Sequence, residues 1–550
     1  MGDTKHWTLT RRGLIGAGTA AAVAGGTAFS LRGGPQARHA VVDARTLNRG
    51  NGAEPDTLDP HKADGMWEYN IIADMFTGLM TEDAAGNPMP GTALSYTMSP
   101  DGLTFTFKLR EHNWSDGVPV TAHDYVFAFR RILNPRTASP YCAILYPVKN
   151  ANEVNSGKLP LEALAVRAID DHTLEIGFQI QVPYIAQLLT HFTTFAIPRH
   201  VVEKYGDAWI EPGNAVSNGP FMLKEWTPND HVLLVKNPQF FDRDTVKLER
   251  VFYYPTPDYS AALKRFRAGE LDTTNGIPAQ QIDWLKIEMP RSLRVEPYIA
   301  NQYVQFNLTR KPFGDVRVRK ALSLAIDREI IADRVMRAGE KPAYAFVPPN
   351  MPGYPGKPRA DFANTPMNAR LAQARALLKA AGYGPGNPLA FDYNFQNQTD
   401  AKLVAVALQA MWNDVGCNVR LAPSEIQVHY NLLRRQEFAA AWAGWSADYR
   451  DAKNYLMLWE TSANDLNFGR YSSPKYDALM AQSDAERDPD KRAQLLEGAE
   501  QTALDDVAFA PVYFDVSRNL VSAAVKGWVP NPVNMNRSRF ISLDRTQTSV

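Results

Sequence analysis

The sequence predicts an α/β protein of two or three domains, and three observations support this. Segments in which apolar and polar residues alternate, as in half-buried strands, recur between segments with the 3.6-residue period of amphipathic helices. The chain has 550 residues, which is more than a single hydrophobic core normally holds. Its composition, with 45% hydrophobic and 21% charged residues, is typical of a globular protein.

The N-terminal half contains one clear strand and one clear helix. Apolar residues alternate strictly over residues 103–109, which predicts a strand with one buried face. Thr121 is placed to cap a helix, and Asp124, three residues later, completes a capping box. Further helices are expected at 71–79 and 258–268, and further strands at 174–178, 231–236 and 250–254.

The C-terminal half repeats this alternation of strand and helix. A strand is expected at 303–308, and Asp315 is a good N-cap for a helix over 316–326. That helix has apolar residues at i, i+3, i+4, i+7 and i+8, which are Val318, Ala321, Leu322, Ala325 and Ile326. Further helices are expected over 366–381, ending at Gly382, and over 401–415 and 489–507.

Charge, cysteines and motifs narrow the functional classes. The 59 basic and 59 acidic side chains cancel, which argues against nucleic acid or an anionic membrane surface as a partner. Cys142 and Cys417 are far apart in sequence and are expected to be free thiols, with a disulfide between them as the alternative. The sequence has no phosphate-binding loop, serine-hydrolase elbow or zinc-protease motif, and its ten histidines are scattered. Neither a catalytic residue nor a metal or other cofactor is therefore predicted.

The segment 441–451 is the candidate functional site. It brings two tryptophans, a glycine, a carboxylate and a tyrosine into a few residues. Gly444 permits close approach of another backbone. Asp448, beside aromatic rings, is suited to receive a cation in a partly dry pocket. The alternatives are that Trp442 and Trp445 belong to a core and that Asp448 bonds its own backbone in a loop.

The first 40 residues are interpreted as an export signal. Arg11 and Arg12 precede a run rich in glycine and alanine, and this order resembles a twin-arginine signal. Cleavage is expected between about Ala28 and Ala40. Because this segment contains no cysteine, the mature protein is expected outside the cytoplasm as a soluble protein and not as a lipoprotein.

Eight stretches recur in a fixed order from about residue 41 to the C-terminus. They are 54–61, 76–79, 114–124, 217–221, 236–238, 313–327, 444–449 and 525–528. Together they resemble the extracytoplasmic solute-binding proteins of peptide ABC transporters, family 5, and most closely the periplasmic oligopeptide-binding proteins. The resemblance implies a periplasmic monomer that binds peptides and delivers them to an inner-membrane ABC permease complex.

The resemblance also implies an architecture that periodicity does not reveal. It is an α/β, two-lobed periplasmic binding protein with mixed sheets, hinge strands and an extra third domain. Lobe I would comprise residues 41–80, 197–300 and 520–550, the extra domain II residues 81–196, and lobe II (domain III) residues 301–519.

In such relatives the peptide lies extended between the lobes and pairs its backbone with protein strands. By this resemblance Asp448 receives the α-ammonium of the peptide, the main chain of Gly444 and Ser446 pairs with it, and Trp445 covers a side-chain pocket. Met66, which follows Asp64 and Gly65, faces the ligand from lobe I, and Tyr141 does so from the extra domain. The implied ligand-binding residues are Asp448, Trp445, Gly444, Ser446, Met66, Asp64, Tyr141, Arg310, Trp442 and Tyr298.

The chain departs from its relatives at positions that hold a peptide's C-terminal carboxylate. Many relatives carry arginine where this chain has Trp442, and a histidine is replaced near Ala401, whereas a basic residue is kept as Arg310. A free N-terminus is therefore better supported than any peptide length. Other solutes (a cell-wall peptide, a nickel chelate or a sugar) and a secreted hydrolase on the same fold remain as alternatives.

Overall fold

The computed structural model describes residues 43–546. Its strands in that range are β1 Thr46–Gly50, β2 Met80–Glu82, β3 Pro88–Pro90, β4 Ala93–Met98, β5 Thr104–Leu109, β6 Val166–Asp170, β7 Thr173–Gly177, β8 Phe221–Thr227, β9 His231–Lys236, β10 Arg250–Tyr254, β11 Thr273–Thr274, β12 Leu293–Phe306, β13 Lys341–Pro342, β14 Leu389–Gln396, β15 Cys417–Ser424, β16 Ala440–Ser446, β17 Phe509–Val521, β18 Val525–Lys526 and β19 Ser542–Leu543.

Helices alternate with these strands along the chain. They are α1 Met66–Met75, α2 Ala122–Leu133, α3 Ala151–Asn155, α4 Ile185–Leu188, α5 Arg199–Tyr205, α6 Tyr259–Arg267, α7 Ile282–Glu288, α8 Val316–Ala325, α9 Arg328–Ile330, α10 Met367–Ala380, α11 Thr399–Asp414, α12 Ile426–Arg434, α13 Lys453–Leu456, α14 Pro474–Ala485 and α15 Pro489–Asp505.

One large mixed sheet runs through both lobes. Its strand order is β15-β14-β16-β12-β17-β11-β1-β10-β9-β8, and β13 pairs with β17. The pairs β14–β15 and β1–β10 are parallel, whereas β12–β16 and β12–β17 are antiparallel. We refer to the part around β1 and β8–β11 as lobe I and to the part around β14–β16 as lobe II. The predicted α/β fold with two lobes and mixed sheets is confirmed.

The strands β12 and β17 join the two lobes. β17 pairs with β11 in lobe I, and β12 pairs with β16 in lobe II. The register of the β12–β17 pairing shifts between Pro297 and Asn301 and again between Gln302 and Tyr303, so the ladder is interrupted there. Such a break bends a strand and locally removes backbone hydrogen bonds, so a movement of the lobes about this point distorts fewer of them. It marks the hinge between the lobes.

A second, antiparallel sheet with the order β4-β5-β7-β6 lies within residues 81–196. Its α2 begins with the capping box predicted at Thr121 and Asp124 and buries Tyr125 and Phe129 as expected. In lobe II the Asp315 carboxylate accepts a hydrogen bond from the Arg317 amide at the start of α8, as an N-cap does. The three domain ranges given above stay a prediction.

Two elements begin earlier than their patterns indicate. α1 starts at Met66 and ends at Met75, because the backbone at Phe76 is already extended (φ −127°, ψ 154°). β12 has 14 residues and starts at Leu293 rather than 303. Ile299, Ala300 and Asn301 are buried in succession, so this part of β12 has no polar face and shows no alternation.

Further findings concern features outside the sheet. Cys142 and Cys417 are free thiols. No helix within residues 43–546 is long and apolar enough to cross a membrane, and the same residues contain no cluster of three histidine, cysteine or acidic side chains that could hold a metal ion. The export signal predicted at residues 1–40 lies outside the described part of the chain.

Candidate functional site

The candidate site is a cleft between the lobes that consists of three adjoining cavities. The Asp448 cavity has a volume of about 190 Å³ and contains Met66 on the lobe I side and Gly444 on the lobe II side. The Asp515 cavity, of about 290 Å³, shares Met66 with it. The His429 cavity, of about 140 Å³, shares residues with both. The residues common to neighbouring cavities include Met66, Trp67, Tyr298, Gln302, Tyr430, Gly444 and Ser446.

Asp448 is a buried carboxylate, with only 8% of its side chain exposed. Its Oδ2 accepts a hydrogen bond of 3.0 Å from Asn454 Nδ2, and its Oδ1 lies 3.6 Å from His191 Nε2. Burial lowers the pKa of His191 to about 3, so this ring is neutral at neutral pH. Among the described residues no lysine or arginine lies within 4 Å of Asp448. The carboxylate therefore lacks a cationic partner within residues 43–546.

This isolation changes the acidity of Asp448. Burial raises the pKa of its carboxyl to about 7, although hydrogen bonds from Asn454 and Tyr141 act in the opposite direction. A carboxylate buried without a cation is unfavourable unless a charged group arrives from outside. The site is therefore suited to bind a ligand ammonium, which would supply both the positive charge and hydrogen-bond donors.

Asn454 fixes the orientation of Asp448 and Trp445. This fully buried residue accepts hydrogen bonds from Trp445 Nε1 (2.8 Å) and from the Asp448 amide (3.0 Å), and its own amide group donates to Asp448 Oδ2. Because one side chain makes all three bonds, the indole ring and the carboxylate are held as a unit.

The strand β16 leaves an open edge in the cleft. Its pairing with β14 ends at Ala441, whereas its pairing with β12 continues to Ser446. The Ala447 amide donates to the Ile299 carbonyl on the β12 side, so by strand alternation the backbone groups of Gly444 and Ser446 point the other way. No strand of residues 43–546 pairs with them on that side. The edge can therefore accept an extended ligand as an added strand.

Lobe I contributes the start of α1 to the opposite wall. Asp64 forms an ion pair with Arg434 of α12 in lobe II, so it makes a contact across the cleft. Gly65, just before α1, has no room for a side chain, because a Cβ there would lie 2.5 Å from the Trp67 ring. Met66 and Trp67, the first two residues of α1, line the cleft.

The remaining predicted residues have different surroundings. The Tyr141 ring packs 5.6 Å from that of His191 in the Asp448 cavity, and the Tyr298 hydroxyl lies 2.6 Å from Ser446 Oγ. Trp442 borders the His429 cavity but is only 3% exposed and packs against Tyr513. Arg310 is exposed in a turn after β12 and lines none of the three cavities.

Sequence reasoning missed four residues of the cleft. His191 and Asn454 contact Asp448, Arg434 pairs with Asp64, and Asp515 lines the largest of the three cavities. A scattered histidine and an asparagine in a short helix carry no motif. Their one shared signal is burial of a polar side chain, which only the folded structure reveals.

The ligand-free protein should be stabilised at high pH by Asp448→Asn. The folded pKa of Asp448 is raised from 3.8 to about 7, so the folded state holds its proton more tightly than the unfolded state. The resulting stabilisation is complete below pH 3.8 and is lost as the pH rises through 7. The gain from the substitution should therefore be larger at pH 8 than at pH 5, by about 2–3 kcal/mol.

Chemical denaturation of ligand-free protein at the two pH values measures this difference. Burial also raises the pKa of Glu68 and of Glu500 to about 7, so these groups contribute to the pH dependence of wild-type stability. Their contribution is the same in wild type and in the variant, and the difference between the two proteins therefore reports on Asp448 alone. Asp244→Asn, at a carboxylate that is 98% exposed, is the control and should have no effect. An equal change in stability at both pH values would contradict the unpaired buried charge.

Several proteins are similar to this chain in sequence and architecture. The chain is 37% identical to the periplasmic oligopeptide-binding protein OppA of Salmonella typhimurium over 527 residues, which cover 94% of this chain and 96% of that protein. The crystal structure of Haemophilus influenzae OppA in complex with the peptide RPPGFSPFR matches with a TM-score of 0.87 and 34% identity, covering 91% of this chain and 99% of that one.

An open relative matches less well. The unliganded open form of the periplasmic murein tripeptide-binding protein MppA gives a TM-score of 0.69 at 32% identity, covering 92% of this chain and 98% of that one. The lobes of this chain are therefore arranged more as in the peptide complex than as in the open form. Residues 87–467 match the sequence model of the bacterial extracellular solute-binding proteins, family 5 Middle. The chain belongs to family 5 of the bacterial extracellular solute-binding proteins.

Proposed function

We propose that this protein binds oligopeptides in the cleft as the solute-binding component of an ABC importer. Asp448 receives the α-ammonium of the peptide, and the open edge of β16 at Gly444 and Ser446 pairs with the peptide backbone. Backbone pairing is the same for every sequence, so it supports broad recognition of side chains. Tyr141, Trp445 and Met66 enclose the first ligand residues.

One observation carries this proposal. Asp448 is a buried carboxylate without a cationic partner in the described part of the chain, and it lies beside an unpaired strand edge in a closed cleft. The N-terminal end of a peptide matches both features. Its ammonium supplies the positive charge that pairs with Asp448, and its backbone amides supply hydrogen bonds to the unpaired edge of β16. A sugar offers neither group, and a nickel chelate offers no ladder.

Isothermal titration calorimetry with defined peptides tests the proposal. Trialanine should bind, and N-acetyl-trialanine should bind at least 100-fold more weakly, because acetylation removes the positive charge of the peptide that would pair with Asp448. Mass spectrometry of the peptide after incubation should show it intact, whereas cleaved peptide would favour the hydrolase alternative. Equal binding of both peptides would contradict the proposal that Asp448 binds the α-ammonium.

Affinity should pass through a maximum as pH is varied. Below about pH 7 a proton on Asp448 must leave before the ammonium can pair with it, so binding weakens as the pH falls. Above about pH 8 the α-amino group of the free peptide loses its own proton. Titration calorimetry between pH 5 and 9 should therefore give the highest affinity at pH 7–8. Proton release on binding at pH 6, read from buffers of different ionisation enthalpy, provides the independent check.

The contact between the lobes should favour the closed state. Arg434→Gln removes the positive charge that pairs with Asp64 and keeps a polar, unbranched side chain. Because both side chains are partly exposed, we expect a loss of about 0.5–1.5 kcal/mol, or a two- to tenfold higher Kd, mainly through faster dissociation. Asp64→Asn should have the same effect, and the double variant should lose no more than either single variant. Additive losses would show that the two side chains act independently.

The cellular setting completes the proposal. We infer that residues 1–40 direct export, that the mature protein acts as a monomer in the periplasm, and that it delivers peptide to a membrane permease. Replacing Arg11 and Arg12 with lysine should retain the protein in the cytoplasm, as fractionation would show.

A further inference from the structure

Residues 81–196, which contain the second sheet and which we call the second-sheet region, contact lobe II outside the three cavities of the cleft. The Gln181 amide donates to the Asp484 carbonyl at 3.2 Å, which joins the two backbones directly. Arg450 Nη1 donates to Asn87 Oδ1, also at 3.2 Å. A further cavity of about 230 Å³ lies between the two sides. The second-sheet region therefore has a contact surface of its own with lobe II.

Two tyrosines form the centre of this contact. The rings of Tyr184, from the second-sheet region, and Tyr449, from lobe II, are stacked with their centres 4.5 Å apart and their planes 6° apart. Both side chains are buried. The Arg492 guanidinium lies 5.8 Å from the centre of the Tyr184 ring and donates two hydrogen bonds, of 2.8 and 2.9 Å, to the Asp451 carboxylate. Tyr184 thus contacts an aromatic ring and a cation of lobe II.

Tyr449 belongs to the hydrophobic core of the opposite side. One cluster of buried apolar residues runs through lobe I and the second-sheet region, and Tyr449 is part of it. Among the described residues it is the only buried member of that cluster from the range 301–519. The other buried apolar residues in that range pack into separate clusters. Lobe II therefore inserts one side chain into the core of the other side.

The inserted residue directly follows the candidate anchor. The Cα atoms of Asp448 and Tyr449 are about 3.8 Å apart, as in any trans peptide. The two residues belong to one short bend, in which the Asp451 amide donates to the Tyr449 carbonyl at 2.9 Å. Asn454 holds this bend from lobe II through Asp448, and Tyr184 holds it from the second-sheet region through Tyr449. The carboxylate is therefore fixed from both sides.

We propose that Tyr184 is a positioning residue for the ligand ammonium, because its stack with Tyr449 holds the Asp448 carboxylate in place. The inference rests on the proposed function. Tyr184 lines none of the three cavities of the cleft and acts through Tyr449. A group that binds a ligand must be held within about 0.5 Å of its working geometry. Loss of the stack should therefore weaken the interaction with an ammonium more than the pairing of the peptide backbone.

Titration calorimetry of Tyr184→Leu with trialanine and N-acetyl-trialanine tests the proposal. Leucine keeps an apolar side chain at this position but removes the stacked ring. The Kd for trialanine should rise at least tenfold, and the Kd for the acetylated peptide, measured by displacement, should rise less than threefold. Tyr184→Phe keeps the ring and should recover most of the affinity that Tyr184→Leu loses. A residue that merely stabilises the fold would weaken binding of both peptides alike.

A second variant assigns the effect to the tyrosine pair. Tyr449→Leu should give the same losses as Tyr184→Leu, and the double variant should lose no more than the more affected single variant, because both changes remove one interaction. The matched control is Phe105→Leu in the second sheet. Phe105 is also buried, its ring lies 5.5 Å from that of Phe178, and it lines none of the four cavities. The control should lower the melting temperature and leave both Kd values within twofold of wild type.

The outcomes separate this inference from the proposed function. An equal rise of both Kd values in Tyr184→Leu, or a tenfold weaker binding of trialanine to Phe105→Leu, would overturn the positioning role. Binding of trialanine to wild type would still support the peptide function in either case. Failure of trialanine to bind wild type would overturn the proposed function and this inference with it.

Discussion

Asp448→Asn should abolish the distinction between a free and a blocked peptide N-terminus. The substitution keeps the size of the side chain and the hydrogen bond from Asn454, but it removes the negative charge. An ammonium placed in this dry site would then be a buried charge without a partner, which costs about 3–5 kcal/mol. The Kd for trialanine should rise by a factor between about 10² and 10⁴.

A double-mutant cycle on protein and peptide separates this effect from damage to the fold. Wild type and Asp448→Asn are each titrated with trialanine and N-acetyl-trialanine. Acetylation should weaken binding to wild type strongly and have almost no further effect on the variant, because both changes remove the same interaction. The exposed-site variant Asp244→Asn should behave as wild type. If acetylation weakened binding to the variant as much as to wild type, the ammonium would lie elsewhere.

The regular elements of this fold are predictable because their signals are local. Alternation over residues 103–109 and the capping pair Thr121 and Asp124 each depend on neighbouring residues, and both correspond to observed elements. β12 was predicted at less than half its length, since the part before residue 303 passes through the hinge and shows no alternation of buried and exposed residues. The discontinuous lobes were expected only by resemblance, because pairing of β1 with β10 or of β11 with β17 joins residues about 200 to 250 apart in the sequence.

The site divides in the same way. Asp448, Trp445 and Gly444 lie in one short segment, so their chemistry could be inferred from sequence. Their partners come from other parts of the chain. His191 belongs to the region of the second sheet. Asp515 lies on β17, about 70 residues after Asp448 in the sequence. A carboxylate can be found by motif, but whether a cation neutralises it depends on packing.

The electrostatics of the cleft couple stability to function. An unpaired Asp448 makes the closed, ligand-free state unfavourable near neutral pH, and an ammonium that enters removes this penalty. The contact between Asp64 and Arg434 acts in the opposite direction, because it holds the lobes together without ligand. The opposed effects suit a receptor that must close on its ligand and yet open for release.

Asn454→Leu should have the second largest effect on binding. Leucine has a similar volume, but it would leave Trp445 Nε1, the Asp448 amide and Asp448 Oδ2 without the partner they now share. Each lost bond to a buried polar group costs about 1–3 kcal/mol. We expect a lower melting temperature and a 30- to 1000-fold higher Kd for trialanine, because the carboxylate and the indole ring are no longer held in place.

The matched control is Asn307→Leu at the end of β12, outside the three cavities. The Asn307 side chain is also buried and makes three hydrogen bonds, with the Gln436 carbonyl and with the amide and hydroxyl of Thr309. It should lower the melting temperature by a similar amount and leave the Kd within threefold of wild type. A comparable loss of binding in both variants would mean that Asn454 acts through general stability and does not position Asp448.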